Sequence, residues 1–265
     1  MRPLIVANWK MNLNLSDAIV LSGQIAKSAE KFRNLSVILA PSSVYLYPIR
    51  EHLRAKPTNF YLALQDVFYK NEGEFTGEIS PSMVKGMCSY SIIGHSERRK
   101  YFGETDEVVA RKLNALLEND LKAIICIGEE ERYHLEDHFD YEVKRMKKPG
   151  GILDSVDKIF SKIKSGDLEN VVVAYEPVWA IGTSNAASGA YAAAVCYIIK
   201  SFLKQMHPAG ADKVQIIYGG STDAQNTAEF LSQPNIDGLL VGGASLSARE
   251  FKKICQISSE LTYGK

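Results

Sequence analysis

Short apolar runs recur along the whole chain, at residues 4–7, 37–40, 60–64, 90–93, 123–127, 171–174, 214–217 and 236–241. They read as continuous rather than alternating, the pattern of parallel strands covered on both faces. Between them lie longer stretches with helical spacing. Ala18, Leu21, Ile25 and Ala29 recur at intervals of three and four, as do Ile254, Ile257 and Leu261, and Val108, Leu113, Leu116 and Leu117 fall in a similar helical pattern in which Leu116 and Leu117 stand three and four after Leu113. Strand and amphipathic helix in alternation imply a parallel sheet with its helices outside. A doubly wound open sheet gives the same alternation. Such a sheet for nucleotides usually turns on Gly-x-Gly-x-x-Gly after its first strand, whereas here that strand runs into Asn8-Trp9-Lys10. Eight runs match the (β/α)8 barrel, which is the expected fold.

The 265 residues suit one barrel, spanning 1–265 as a single domain. Lysine plus arginine and aspartate plus glutamate both total 31, so the formal net charge is zero. That balance argues against a nucleic-acid or membrane-binding surface, which needs a basic excess. It leaves room for a local anion site built from backbone N–H groups. Cys88, Cys126, Cys196 and Cys255 are widely spaced with no Cys-x-x-Cys pair, so neither a disulfide framework nor a zinc ribbon is expected. The chain opens directly on its first strand-like run, and a cytoplasmic location is the default. Residues 129–166 are the least regular stretch. Their Glu129-Glu130-Glu131, Lys144-Arg145 and Lys147-Lys148-Pro149-Gly150-Gly151 clusters read as a solvated helix, a turn and a second helix.

A β/α barrel assembles its active site at the C-terminal strand ends, so the polar residues just after each run carry the chemistry. Asn8 and Lys10 follow the first run, Gly94-His95-Ser96-Glu97 the fourth, and Glu176-Pro177-Val178-Trp179 the sixth. Alone, a lysine or glutamate at a strand end is usually a solvated rim residue, and a histidine is more often structural. Together at one mouth, a lysine, a histidine and two carboxylates supply a base, a hydrogen-bond donor and a fixed positive charge. Those are the parts needed to remove a proton beside a carbonyl and stabilise the enediolate that results. Gly219-Gly220-Ser221 and Gly242-Gly243-Ala244-Ser245 follow the last two strands and precede helical segments. Each Gly-Gly could be a plain tight turn. As a pair in those positions they suit a phosphate, which barrels often hold at the loops after strands seven and eight.

With those residues in view, the chain resembles the triosephosphate isomerase family. The resembling segments, in order along nearly the whole length, are Asn8-Trp9-Lys10-Met11-Asn12, Phe75-Thr76-Gly77-Glu78, Ile93-Gly94-His95-Ser96-Glu97-Arg98-Arg99, Tyr101-Phe102-Gly103-Glu104, Cys126-Ile127-Gly128-Glu129, the stretch from Ala174-Tyr175-Glu176 through Gly182-Thr183, Tyr218-Gly219-Gly220-Ser221 and Val241-Gly242-Gly243-Ala244-Ser245-Leu246. The resemblance implies interconversion of dihydroxyacetone phosphate and glyceraldehyde 3-phosphate, without cofactor or metal. Glu176 is then the base and His95 a neutral donor to the substrate oxygens. Lys10 stabilises negative charge, Asn8 binds substrate oxygens, Glu97 positions and neutralises Lys10, and Ser96 holds Glu176 before closure. The segment after Glu176 resembles a closing lid with Pro177-Val178-Trp179 as first hinge. The N–H groups of Gly182, Ser221, Gly242 and Gly243 would bind phosphate, and Ile181 and Leu240 would clamp and dry the base. Thr76 falls in a stretch resembling a loop that enters a second subunit near Lys10 and His95, which implies a homodimer; Phe75 beside it reads equally as a core residue.

The family usually has Gly-Lys and a small hydroxyl residue where this chain has Ser184-Asn185-Ala186-Ala187, so the second hinge is altered. The stretch 129–166 is longer than the family norm, and its extra length is expected on the outer helix layer. His134 and His138 stand at i and i+4, but in neither His-Glu-x-x-His nor His-x-x-Glu-His order, so an exposed helix face is expected rather than metal. A sibling isomerase for a tetrulose phosphate and a non-catalytic binding protein on the same scaffold are the alternative functions.

Overall fold

The computed structural model describes residues 1–182 and 187–263. Eight parallel strands close into a barrel in chain order: β1 (Leu4–Asn8), β2 (Ser36–Ala40), β3 (Phe60–Leu64), β4 (Tyr90–Ile93), β5 (Lys122–Ile127), β6 (Val171–Tyr175), β7 (Gln215–Tyr218) and β8 (Gly238–Val241). The seam is closed by β8 on β1, with Leu4 opposite Gly238 and Ala7 opposite Val241.

Each strand run is divided by its pleat into two sets. Leu4, Val6, Ile38, Ala40, Ile92, Ile124, Cys126, Val172, Ala174, Ile217 and Leu240 form one buried cluster that contains no helical residue, and so fill the barrel interior. Their neighbours, such as Ile5, Val37, Leu39, Ile125 and Val173, pack instead with helical side chains in a second, larger cluster. Burial on both faces is why the runs are continuous. It also holds the strand ends still, which matters for any group attached to them.

The helices are α1 (Leu15–Lys31), α2 (Leu46–His52), α3 (Pro81–Val84), α4 (Ser96–Phe102), α5 (Asp106–Glu118), α6 (Leu135–Met146), α7 (Ile152–Phe160), α8 (Gly189–Met206), α9 (Thr227–Leu231) and α10 (Ala248–Tyr263). Asn14 caps α1 by accepting from the Asp17 N–H at 3.0 Å, and the helix buries Ala18, Leu21, Ile25 and Ala29 as their spacing predicts. On α5 Leu113 and Leu116 are buried as expected and Val109 joins them, while Val108 and Leu117 are only half-buried. Lys112 shares that inner face because Asp66 and Glu104 wait for it there, at 2.6 and 3.1 Å.

Residues 129–166 do form two outer helices joined by a turn. The second, α7, is no solvated element: Ile152, Leu153, Val156, Ile159 and Phe160 are buried. Nor are all the acidic residues solvated, since Glu129 is 5% exposed and Glu142 only 2%. His134 precedes α6 and His138 takes non-helical angles (φ −139°, ψ 44°), so their i, i+4 spacing does not put both on one regular helix face. The four cysteines are buried and unpaired. Among the described residues no helix is long and apolar enough to cross a membrane.

Candidate active site

Asn8, the last residue of β1, accepts the Lys10 N–H on its side chain at 3.0 Å, which turns the chain sharply at the strand end. Lys10 consequently takes φ +54°. Two side chains hold its carbonyl in that unfavoured conformation: the Gln65 amide donates at 2.9 Å and the Ser42 hydroxyl at 3.1 Å. The ammonium meets Glu97 Oε1 at 2.6 Å, the pairing expected from the sequence. The Lys10 stem lies above Gly242, where an added Cβ would stand 3.5 Å from Cε.

His95 follows β4 and heads α4. Its Nδ1 accepts the Glu97 N–H at 3.2 Å, which leaves Nε2 to carry the ring proton. Nε2 stands 3.0 Å from Glu176 Oε1. The other Glu176 oxygen accepts from Ser96 at 2.9 Å, through the backbone N–H rather than the hydroxyl. Both oxygens of the candidate base are thus occupied, and the residue is only 2% exposed. Beneath it the Cys126 thiol is pushed far up by burial and by the Glu176 charge, so it stays protonated.

Two glycines make room for Glu176. A Cβ on Gly128 would fall 1.7 Å from the Glu176 carbonyl oxygen, and one on Gly219 would fall 3.0 Å from its Cγ. Only a residue without a side chain lets the three strand ends approach this closely.

Behind β4 sits a buried ionic network. Glu104 accepts the Gly94 N–H at 3.1 Å on one oxygen, and Arg98 (2.6 Å) and Lys112 (3.1 Å) on the other. Asp66 bonds both cations from the opposite side, at 2.9 and 2.6 Å. Burial works to raise the Glu104 carboxyl, but Lys112 and Arg98 outweigh it and hold the group below its ordinary value. Burial wins at Asp66, which is raised to about 6. The network fixes the peptide that carries His95, a role that sequence patterns alone do not announce.

One cavity of about 340 Å³ gathers nearly all the expected residues. Asn8, Lys10, His95 and Glu176 line it together with Gly182, Ser221, Gly242 and Gly243 and with the apolar Ile181 and Leu240. Its further lining includes Gly219, Gly220, Thr222, Asp223 and Asn226, the last three not foreseen. Glu97 is absent from the wall and acts on the site through its carboxylate on Lys10 and its N–H on His95 Nδ1. Thr76 is exposed on the loop between β3 and α3 and contributes nothing to this cavity. Its neighbour Phe75 is 41% exposed, so the core reading of that residue does not hold. Ser184, Asn185 and Ala186 lie outside the described residues, while Ala187 is buried at 3%.

Pro177 and Trp179 also stand apart from the cavity. Val178, Trp179 and Ala180 form a single helical turn, and the Trp179 indole donates to Glu129 Oε1 at 2.9 Å. The hydroxyls of Tyr175 (2.8 Å) and Tyr191 (2.9 Å) donate to the same oxygen, and Tyr191 meets the Trp179 ring edge-on at 5.6 Å. Glu129 therefore ties the expected hinge to the barrel. Sequence reading placed it on a solvated helix because it stands in a run of glutamates. Tyr191 was hidden on the apolar face of α8, where an aromatic residue reads as core.

Burial pushes the Glu129 carboxyl up to about 7, against the opposing pull of Trp179, Tyr175 and Tyr191. Its folded value thus exceeds the ordinary value of 4.5. The proton on Glu129 contributes stability that is complete below about 4.5 and is lost as pH rises through about 7. Glu129→Gln is neutral throughout and is expected to remove that slope. Urea melts of both proteins between about pH 5 and 7.5 check it, and parallel curves would reject the assignment.

A triosephosphate isomerase family model matches residues 3–258 of the chain. Proteins named triosephosphate isomerase from Dehalococcoides mccartyi, Trichlorobacter lovleyi and Dictyoglomus turgidum are 41%, 39% and 38% identical to it. These alignments cover 97%, 95% and 94% of this chain, and 96%, 97% and 97% of the respective relatives.

Proposed function

The chain belongs to the triosephosphate isomerase family, and from that premise we propose that it interconverts dihydroxyacetone phosphate and D-glyceraldehyde 3-phosphate through an enediolate. The observation that carries this reading is the meeting of Glu176 and His95 at 3.0 Å in one cavity with Lys10 and the glycine loops.

The substrate phosphate is held by the N–H groups of Gly182, Ser221, Gly242 and Gly243, within reach of the Lys10 charge. Asn8 binds the substrate oxygens at the other end. Glu176 takes a proton from the hydroxymethyl carbon next to the ketone, and the electron pair of that C–H bond moves into the enediolate. The His95 Nε2–H and the Lys10 ammonium stabilise the developing oxyanion. Glu176 then returns a proton to the neighbouring carbon, while His95 Nε2 gives its proton to the former ketone oxygen and regains one from the hydroxyl of the first carbon, so that the former ketone becomes the hydroxyl-bearing centre and the hydroxymethyl carbon the aldehyde.

In the described state neither Glu176 oxygen is free to accept that proton. The base must leave the Ser96 N–H and swing toward the substrate. Glu176 sits immediately before the Pro177-Val178-Trp179 turn, so the hinge that moves the lid also moves the base. Closure brings Ile181 over the carboxylate, opposite the fixed Leu240 of β8, and dries it. The chain's own groups perform every step, and the cellular setting that fits is the cytoplasm.

A coupled assay with three-carbon and four-carbon sugar phosphates tests the substrate. We expect kcat/KM to be far higher for glyceraldehyde 3-phosphate, and the reverse order would reject the assignment.

The proposal extends to a homodimer. Met11, Val44, Phe75 and Phe102 are 94%, 72%, 41% and 71% exposed, Met11 directly after Lys10 and Phe102 at the end of α4, the helix that His95 heads. Apolar surface there suits a second copy whose loop around Thr76 covers it. Sedimentation at micromolar concentration should give twice the chain mass, and a single-chain mass would reject the dimer.

A further inference from the structure

The turn after β7 is bonded almost throughout. Asp223 Oδ1 accepts the N–H groups of Gln225 (2.8 Å) and Asn226 (3.1 Å), and Asn226 Oδ1 accepts the Asp223 N–H at 2.9 Å. The Asn226 amide donates to the Ser221 carbonyl at 3.1 Å, and the Thr227 hydroxyl to the Asp223 carbonyl at 2.6 Å. One group in this turn is left over. The Thr222 hydroxyl is shielded from solvent and has no hydrogen-bond partner, in a residue only 8% exposed.

A threonine in a turn ordinarily caps a helix or bonds back to its own backbone. Thr222 does neither, so its hydroxyl has no local structural purpose. A buried hydroxyl without a partner destabilises the protein that carries it, whereas valine fills the same volume without that penalty. The hydroxyl is therefore a liability in the unliganded molecule, and it lies beside the residue whose N–H faces the anion. Thr222 lines the catalytic cavity next to Ser221. A staggered step about χ1 re-aims the hydroxyl without any movement of the backbone.

We propose that Thr222 is a substrate-binding residue whose hydroxyl turns into the cavity and donates a hydrogen bond to a phosphate oxygen, beside the Ser221 N–H. The inference rests on the phosphate-sugar reading given above and deepens it, adding a side-chain donor to a set of backbone ones. No bond is made or broken: a hydroxyl proton is shared with an anionic oxygen that is rich in lone pairs. The same contact exists before and during proton transfer, so it acts on binding rather than on the chemical step.

The test compares wild type with T222V and T222S. The melting temperature without anion, the dissociation constants of inorganic phosphate and of glycerol 3-phosphate (followed by thermal shift), and KM and kcat with glyceraldehyde 3-phosphate would be measured. For T222V we expect a melting temperature without anion that is equal or higher. Both anions should bind about 10- to 100-fold more weakly, as loss of a hydrogen bond to a charged group implies. KM should rise by a similar factor with kcat nearly unchanged, and T222S should restore affinity. Unchanged anion affinity in T222V, or a fall in its anion-free melting temperature, would overturn the proposal, because the hydroxyl would then already be satisfied by buried water. The thermal-shift readout needs no turnover. A wild type that binds phosphate but does not turn over therefore rejects the isomerase reading separately.

Discussion

Replacing Glu176 by glutamine is expected to lower kcat by about 10³-fold or more while leaving the barrel folded, since a positioned general base contributes on the order of 10²–10⁴. The neutral amide cannot take the substrate proton. It also fits its resting place less well, because both Glu176 oxygens accept hydrogen bonds, from the Ser96 N–H at 2.9 Å and from His95 Nε2 at 3.0 Å. Glutamine has one acceptor, so its amino group must face one of those donors. His95 cannot simply switch tautomer to receive it, because a proton on Nδ1 would meet the Glu97 N–H at 3.2 Å. The variant should therefore show a displaced residue 176 as well as lost turnover. A coupled assay with circular dichroism checks both, and activity within about tenfold of wild type would remove Glu176 from the role of base.

Lys10→Met is the second large effect. Methionine keeps most of the apolar stem packed above Gly242 and removes the charge. The expected loss is about 10²–10³ in kcat/KM, as for removal of one preorganised oxyanion partner, divided between a higher KM and a lower kcat. The division follows from the place of Lys10, which reaches toward both the phosphate loops and the reacting oxygens. Glu97 then has no cation at 2.6 Å and becomes an uncompensated negative charge at the mouth. Steady-state kinetics with glyceraldehyde 3-phosphate would show the split. An unchanged KM would contradict the placement of Lys10 beside the phosphate.

Both predictions concern residues that were legible in the sequence, and the reason is architectural. A strand buried on both faces is a continuous apolar run, and a barrel puts its chemistry where such a run stops. Asn8, Lys10, His95 and Glu176 stand at those stops, and the structure gathers them into one cavity. The ends of the runs were less distinct. β6 extends through Tyr175 because its ladder with β5 and β7 continues to that residue, although an aromatic with a hydroxyl does not read as a plain strand interior. β7 begins at Gln215 rather than Val214, since the backbone ladder rather than apolarity decides where pairing starts.

What the sequence hid were groups whose role depends on distant partners. Glu129 looked like one of three solvated glutamates until Tyr175, Trp179 and Tyr191, the last 62 positions away, were seen to converge on one of its oxygens. Lys112 belongs by charge to the outer face of α5, yet faces inward because Asp66 and Glu104 are there to pair with it. Thr222 is unremarkable as a residue type. Its interest lies in a hydroxyl without a partner, which no pattern of neighbours along the chain can reveal. Periodicity reports which face is buried, and hydrogen-bond accounting requires the fold.

Proton abstraction beside the carbonyl by Glu176 is the step on which the proposed isomerisation depends. The most direct measurement is a proton NMR time course of dihydroxyacetone phosphate in deuterated water with purified wild type and Glu176→Gln. The account predicts rapid conversion to glyceraldehyde 3-phosphate by wild type, with deuterium entering carbon-bound positions, and neither above background in the variant. A folded wild type that neither converts the substrate nor exchanges its carbon-bound protons would contradict it, as would a variant that does both at the wild-type rate.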